Sequence, residues 1–328
     1  MEVSPFIDEK NILHLLGKKI KPGKSKRINF NTAKLHTHTS VEIPVIVERA
    51  KKKGPVVLIT AGIHGDEING IEIVRRVVAE SINKPEKGTI ICIPVLNIFG
   101  FINGAREFPD GRDLNRVFPG TKNGALASRF AYHFSNQILP IADLCLDFHT
   151  GGASRFNAPQ IRIDRSHKKN TLLSKIFSAP FTVISPNIKK SYRYTCDQYN
   201  IPVLLYEGGK SLDSNNEITQ VAIEGIKRVL SHYGMLRIET PVVPSETESI
   251  LIESTFWMRA KYSGLLHLKI PAGKQIRKGE ILAHITDPYG NFIHRVKATS
   301  NGHVINANQS PTVYQGDAIF HISKESNG

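Results

Sequence analysis

The apolar positions of this chain fall into short runs between polar turns, and their period changes about three quarters of the way along. Continuous apolar runs at Val56 to Thr60, Thr89 to Leu96 and Leu144 to Phe148 predict strands buried on both faces, and Val203 to Tyr206 is a fourth such run. Glu42 to Glu48 is strand-like as well. Gly70 to Ser81 sets Ile71, Val74, Val77 and Val78 on one helical face, Ala125 to Leu139 reads as a helix stopped by Pro140, and Ile218 to Tyr233 as a late helix. This strand and helix alternation predicts an α/β fold: a mixed or mostly parallel sheet with helices on both faces. Glu239 to Thr247, rich in proline and hydroxyl residues, predicts a linker between a domain at 1–238 and a second at 248–328. Beyond it, short alternations are punctuated by glycine turns at Gly273, Gly279, Gly302 and Gly316, the rhythm of a small all-β domain.

The candidate chemistry sits where the strand-like runs end. His64-Gly65-Asp66-Glu67 follows the first run and places an imidazole and a carboxylate three residues apart, close enough to converge from one turn. The third run ends in Asp147-Phe148-His149-Thr150-Gly151-Gly152, a histidine leading into a glycine loop. Two imidazoles and one carboxylate make a three-ligand set that leaves a fourth tetrahedral position open for water, whereas a closed structural site would take four ligands, normally with cysteines. The fourth run delivers Glu207 into Gly208-Gly209. Open α/β sheets bind ligands outside the carboxyl ends of their strands, so these ends mark one active edge.

Between them, Asn103 to Gly120 holds three arginines, Arg106, Arg112 and Arg116, with few apolar positions, which predicts a long functional loop or a disordered one. Arginine binds carboxylates bidentately and keeps its charge, so the cluster points to an acidic substrate and to stabilisation of an oxyanion; the plain alternative is a solvated basic loop.

Taken in order, His64-x-x-Glu67, Asp113-Leu114-Asn115-Arg116, Asp147-Phe148-His149-Thr150-Gly151-Gly152 and Glu207-Gly208-Gly209 resemble the succinylglutamate desuccinylase/aspartoacylase family of the zinc carboxypeptidase clan. The resemblance spans Val56 to Gly209. It implies His64, Glu67 and His149 as ligands of one zinc ion per chain and Glu207 as the catalytic glutamate. It also implies Asn115 and Arg116 as the holders of the substrate carboxylate, Arg106 as the group that polarises the scissile carbonyl, with Arg112 as its substitute, and Asn97 as a strand-end organiser. The implied activity is hydrolysis of an amide: removal of an acyl group from an N-acyl amino acid or related amine. The alternatives are a zinc carboxypeptidase acting on short peptides, a non-catalytic binding protein that kept the fold, and a basic nucleic-acid-binding protein. The C-terminal rhythm is similar to the biotinyl/lipoyl barrel-sandwich fold, but no lysine lies in Asp287-Pro288-Tyr289-Gly290-Asn291, where the modified one would stand, so no such attachment is expected. This domain is expected to shape the mouth of the site or to form a homo-oligomer interface.

Composition narrows the picture. The three cysteines, Cys92, Cys145 and Cys196, have no zinc-finger spacing, which argues against disulfides and a cysteine-built metal site. Met1 to Lys10 lacks the order of a signal peptide, and no apolar run approaches the ~20 residues needed to span a bilayer, so a soluble cytoplasmic protein without membrane partners is expected. The net charge is +14, and its surplus lies in the first part: residues 1–239 carry 34 Lys and Arg against 22 Asp and Glu, residues 240–328 carry 9 against 7. A positive field near the site would attract a small anionic substrate. The basic clusters lack interleaved aromatics, which disfavours nucleic acid. His36 and His38, two apart, would share one face of a strand, and with no carboxylate nearby in sequence a second metal site is not expected there.

Overall fold

A computed structural model describes residues 6–9, 11–165, 167–245 and 247–324, with the side chain of Thr32 excepted. Met1 to Pro5 and Lys10, part of the segment read for a leader, lie outside the described residues, as does Glu246 within the expected linker. The core is one large mixed sheet. From one edge its strands run Ser25–Lys34, Ser40–Arg49, Lys87–Ile93, Lys52–Ala61, Leu144–Gly151, Val203–Lys210 and Arg155–Ile163. The four strands from Lys87–Ile93 to Val203–Lys210 are mutually parallel, and antiparallel neighbours flank them on both sides. The parallel strands are the ones whose sequences read as unbroken apolar runs, because both of their faces are covered.

Two buried clusters divide the alternate residues of these strands. Leu58, Ile91 and Cys145 pack on one face with Phe130, Phe134 and Tyr192, which come from helices Leu126–Gln137 and Tyr192–Gln198. Ile59, Ile90 and Leu146 pack on the other with Ile73, Val77, Leu173 and Ile223, from helices Ile68–Ala79, Lys168–Phe177 and Asn216–His232. The helices therefore cover both faces, as the pattern predicts.

Several boundaries differ from the sequence reading for identifiable reasons. Helix Ile68–Ala79 begins before Gly70, whose missing side chain lets it lie on the strand beneath: a Cβ there would stand 2.5 Å from the Phe148 carbonyl oxygen. Pro140 does not simply end the preceding helix; that helix stops at Gln137, and Pro140 sits in the first turn of the short helix Leu139–Ile141, where its missing N–H costs nothing. His36 and His38 occupy the turn between Ser25–Lys34 and Ser40–Arg49, not a strand, with His38 at φ 62. The arginine loop is more ordered than its polarity implies, since Phe108, Leu114 and Phe118 are buried in the first cluster.

The C-terminal segment forms a four-stranded antiparallel sheet, Ile293–Lys297, Ile281–Thr286, Gly264–Leu268 and Thr312–Val313, over its own apolar cluster. It also extends the large sheet: Gly302–Asn308 pairs antiparallel with Arg155–Ile163, followed by Ala318–Ser323 and Thr255–Arg259. Through that continuity, residues after 250 reach the candidate site.

Candidate active site

His64 and Glu67 lie where strand Lys52–Ala61 passes into helix Ile68–Ala79, with Glu67 at the N-terminal boundary of the helix, its side chain turned to the histidines and making no capping hydrogen bond. His149 lies on the parallel neighbour Leu144–Gly151. The fold brings the three together: all are buried, and one ligand atom from each lies within 4.8 Å of the others, a group that could hold a metal ion. His64 Nδ1 is 2.7 Å from Glu67 Oε1 and His149 Nδ1 is 2.9 Å from Glu67 Oε2. The outer nitrogens point to other carboxylates, His64 Nε2 to Asp113 Oδ1 at 3.1 Å and His149 Nε2 to Asp147 Oδ2 at 2.8 Å.

Charge and hydrogen bonding together define what this centre requires. A neutral imidazole has one N–H and one lone pair, and an ionised carboxylate only accepts. If each Nε2 donates to its aspartate, the lone pairs of both Nδ1 atoms face the same Glu67 carboxylate, an arrangement that repels unless positive charge lies among the three. Glu67 Oε2 is buried and has no well-aligned hydrogen bond despite its short contact with His149. Burial pushes both imidazoles toward the neutral form, but the surrounding carboxylates outweigh it. His64 is raised through Glu67 and Asp113, and His149 is raised well above the usual histidine range through Asp147 and Glu67. Burial likewise opposes ionisation of Glu67, yet the two histidines hold its carboxyl well below the usual range. Either two extra protons or one cation satisfies the centre. Two imidazoles and a carboxylate, each imidazole backed by an aspartate, make a donor set that suits zinc.

Asp113 joins this centre to the arginine loop. Its Oδ1 accepts from the Asn115 backbone N–H at 2.8 Å as well as facing His64, and its Oδ2 accepts from Arg106 Nη2 at 2.8 Å. Burial disfavours its charge, but His64 and Arg106 hold its carboxyl well below the usual range. Arg106 Nη1 thereby stands 3.6 Å from Glu67 Oε1. Asn97, fully buried, caps helix Ile98–Asn103 and donates from Nδ2 to the carbonyl oxygens of Arg106 and Glu107, so it holds the backbone that presents Arg106. Asn115 Oδ1 accepts from the Tyr192 backbone N–H, and Arg116 donates to the Asn115 carbonyl; both residues line the cavity. Arg112 is exposed and lies outside the cavity lining, so of the two arginines considered for the scissile carbonyl the structure brings only Arg106 to the centre.

The cavity has a volume of about 650 Å³. Glu207 opens into it from Val203–Lys210, where it is paired with His149 across the parallel strands, and its Oε2 accepts from Asn157 Nδ2 at 2.8 Å. Gly209 follows in the left-handed region (φ 77), at a shift in register that a side-chain-bearing residue would resist.

Of the remaining arginines, Arg155, Arg162 and Arg193 line the cavity, whereas Arg165 is exposed and paired with Glu253. Arg193 is the most telling. Its Nη2 donates to the carbonyls of Ser185 and Pro186, both at 3.0 Å, while its Nη1 is buried without a partner. Burial, helped by Arg162, pushes the guanidinium down to about 10. An anionic group in the cavity would supply the missing partner.

Several of these residues have no role that the sequence alone assigns. Asp147 carries a signal that a strand makes readable, since residues two apart share a face. Asp113 opens the motif that ends in Asn115 and Arg116, and Arg193 is one of four arginines, with Arg155, Arg162 and Arg165, that could each extend an anion pocket; Asn157, Asn306 and Trp257 carry no local signal, and Asn306 and Trp257 arrive in the cavity lining from the C-terminal segment.

Comparison with known proteins agrees with this architecture. Over 301 residues the chain is 28% identical to a protein of Halomonas elongata named N-alpha-acetyl-L-2,4-diaminobutyric acid deacetylase, an alignment covering 87% of this chain and 86% of that one. The product-bound structure of an ectoine utilization protein from Ruegeria pomeroyi superposes with a TM-score of 0.79 at 25% identity, covering 92% of this chain and 95% of the other. A succinylglutamate desuccinylase structure from a Silicibacter species shares the fold, with a TM-score of 0.79 at 23% identity over 92% and 94% of the two chains. The model of the succinylglutamate desuccinylase/aspartoacylase catalytic domain matches residues 53–233, more than half of the sequence and the whole of the site except its C-terminal wall, and the chain belongs to that family.

Proposed function

We propose that this chain is a zinc-dependent amidohydrolase that removes a short acyl group from the nitrogen of an amino acid or a closely related amine. One observation carries the proposal: two buried imidazoles, each backed by its own aspartate, turn their Nδ1 atoms onto one buried glutamate beside Glu207 in an arginine-lined cavity. Membership in a family of deacylases, and likeness to a deacetylase of N-acetyl diaminobutyrate, support the reaction class.

His64, Glu67 and His149 would hold the metal. When bound, zinc supplies a nucleophile from water at neutral pH and a positive charge beside the carbonyl oxygen. The chain's own groups do the rest. Glu207 takes the proton of the attacking water and returns it to the leaving amine, help worth typically about 10² to 10⁴ in rate. Arg106, anchored by Asp113, shares the negative charge that develops on the carbonyl oxygen. Asn115, Arg116 and Arg193 hold the carboxylate of the substrate and fix the scissile bond against the centre. We infer that the segment from about 248 onward acts as the outer wall of the cavity, since Trp257 and Asn306 come from it.

The test is a panel of N-acetyl and N-succinyl amino acids, N-acetyl-L-2,4-diaminobutyrate among them, run beside short peptides with wild type and Glu207→Gln. Turnover of N-acyl amino acids that Glu207→Gln loses supports the deacylase. Turnover of peptides alone moves the assignment to a carboxypeptidase, and full activity in Glu207→Gln removes Glu207 from the mechanism.

A further inference from the structure

Glu207 does not stand alone in the cavity. Its Oε2 accepts from Asn157 Nδ2 at 2.8 Å, and Asn157 Oδ1 in turn accepts from Asn306 Nδ2 at 2.7 Å. Both asparagines are buried, each 3% exposed. They are directly paired residues of Arg155–Ile163 and Gly302–Asn308, the two strands along which the C-terminal segment joins the large sheet. On its other side Asn157 pairs with Gly209, across the register shift that separates Gly209 from Glu207. The shift sets Asn157 diagonally beside the Glu207 carboxylate.

The orientation of Asn157 is the physical crux. An asparagine amide has a donor end and an acceptor end, and turning it over exchanges them. Turned over, Asn157 would present its carbonyl oxygen to Glu207, two acceptors face to face. Asn306, by presenting an N–H to the Asn157 oxygen, favours the orientation in which Asn157 donates to Glu207. The remaining polar atom of Asn306, Oδ1, is buried without a partner. An unsatisfied buried acceptor costs free energy, and an apolar side chain at 306 would avoid that cost. The amide is therefore worth having for the one hydrogen bond it makes.

We propose that Asn306 is a positioning residue for the reaction, acting through Asn157 to hold the Glu207 carboxylate by Oε2 and leave Oε1 as the oxygen that exchanges the proton. The inference rests on the role given to Glu207 above. It makes the C-terminal segment part of the catalytic apparatus, through a contact 149 residues distant in sequence.

The experiment is steady-state kinetics on the N-acyl amino acid that wild type turns over, with Asn306→Ala, Asn306→Asp, Glu207→Gln and the double variant Asn306→Ala/Glu207→Gln. Asn306→Ala removes a hydrogen bond between neutral amides and frees Asn157 to give up its own bond to the Glu207 carboxylate; loss of that charged bond predicts a fall in kcat of about 10- to 100-fold, with KM little changed because the proposed role of Asn306 is to orient the carboxylate. Asn306→Asp should fall at least as far, since its carboxylate draws the Asn157 N–H away from Glu207. In the Glu207→Gln background Asn306→Ala should cost nothing further. Wild-type kcat in Asn306→Ala beside an inactive Glu207→Gln overturns this inference and leaves the role of Glu207 intact. Full activity in Glu207→Gln overturns both, and an equal loss from Asn306→Ala in both backgrounds reduces Asn306 to a structural part. A readout without turnover is the side-chain amide pair of Asn157 in protein labelled with ¹⁵N-asparagine, assigned by its loss in Asn157→Ser. Protection from solvent exchange in wild type and its loss in Asn306→Ala are expected; an unchanged pair overturns the inference.

Discussion

Replacing Asp147 by asparagine isolates the charge behind one histidine while keeping its shape. Asp147 is 2% exposed, with Oδ2 facing His149 Nε2 at 2.8 Å and Oδ1 accepting from Thr60 Oγ1 at 2.7 Å. Asparagine can keep both contacts if its amide oxygen faces His149 and its nitrogen faces the Thr60 oxygen, so the ring stays in place and only the charge is lost. A hydrogen bond to a charged group contributes about 1.5–3 kcal/mol and a neutral one about 0.5–1.5, a difference of about 1–2 kcal/mol. At 1.4 kcal/mol per factor of ten, Asp147→Asn should weaken zinc binding by about 5- to 30-fold. That falls close to the range of about 10- to 100-fold typical for residues that orient a metal-binding histidine. The assay is competition with a chromophoric chelator at fixed pH, with thermal unfolding of the metal-free proteins to show that both variants fold. Asp113→Asn is the internal comparison: its contact with His64 is longer, 3.1 Å, and its side chain is 22% exposed, so it should lose less. Unchanged zinc affinity in Asp147→Asn, or a larger loss in Asp113→Asn, would show that the Asp147 charge does not hold His149 for the metal.

Other consequences follow from the same geometry. Arg193→Met removes a guanidinium whose Nη1 awaits a partner, and should raise KM for an anionic substrate by about 10- to 100-fold with a smaller effect on kcat, as initial rates would show; an unchanged KM removes Arg193 from substrate binding. Because the pKa values of His64 and His149 are raised in the metal-free protein, they retain protons on the alkaline side of the ordinary histidine value, and a metal must displace them. Zinc affinity should therefore fall as pH drops through those raised values, with about one to two protons released per ion at neutral pH, measurable by calorimetry in buffers of different ionisation enthalpy. Gly65→Ala would place a Cβ 1.9 Å from the Gly100 carbonyl carbon, so it should destabilise the fold by about 1–3 kcal/mol or more and displace His64, detected as a lower melting temperature with reduced metal uptake. Trp257, the sole tryptophan, lines the cavity and stacks on His321 at 4.3 Å between ring centroids, so occupancy of the cavity by a carboxylate inhibitor should change intrinsic fluorescence.

The group that could hold a metal was legible because its elements announce themselves locally: His64 and Glu67 share one turn, and His149 and Glu207 end apolar runs that form adjacent parallel strands. Arg106 and Arg112 could not be separated by spacing, because the choice depends on where Asp113 lies, and Asp113 contacts His64 across 49 residues. Strand Arg155–Ile163 was invisible for a related reason. It reads Arg-Phe-Asn-Ala-Pro-Gln-Ile-Arg-Ile, with Asn157, Gln160 and Arg162 where apolar alternation would place core residues; Asn157 and Arg162 serve the cavity, and Gln160 is buried in contacts with the Ala158 and Ile305 carbonyls. Strand Ser25–Lys34 carries Lys26 and Arg27 at the edge of the sheet, where charge discourages further pairing and disguises the element. The C-terminal β rhythm was readable, but its junction with the large sheet was not: the contact between Asn306 and Asn157 leaves no local trace. Among the described residues no helix is long and apolar enough to cross a membrane, in line with the hydropathy of the sequence.

The proposed mechanism turns on a single metal held by His64, Glu67 and His149. Metal analysis of purified wild type and of the His64→Ala/His149→Ala double variant, both shown to be folded, tests it most directly. About one zinc per wild-type chain and none in the variant is the expected result. A wild type that stays metal-free after zinc is supplied, or a double variant that keeps its zinc, would contradict it.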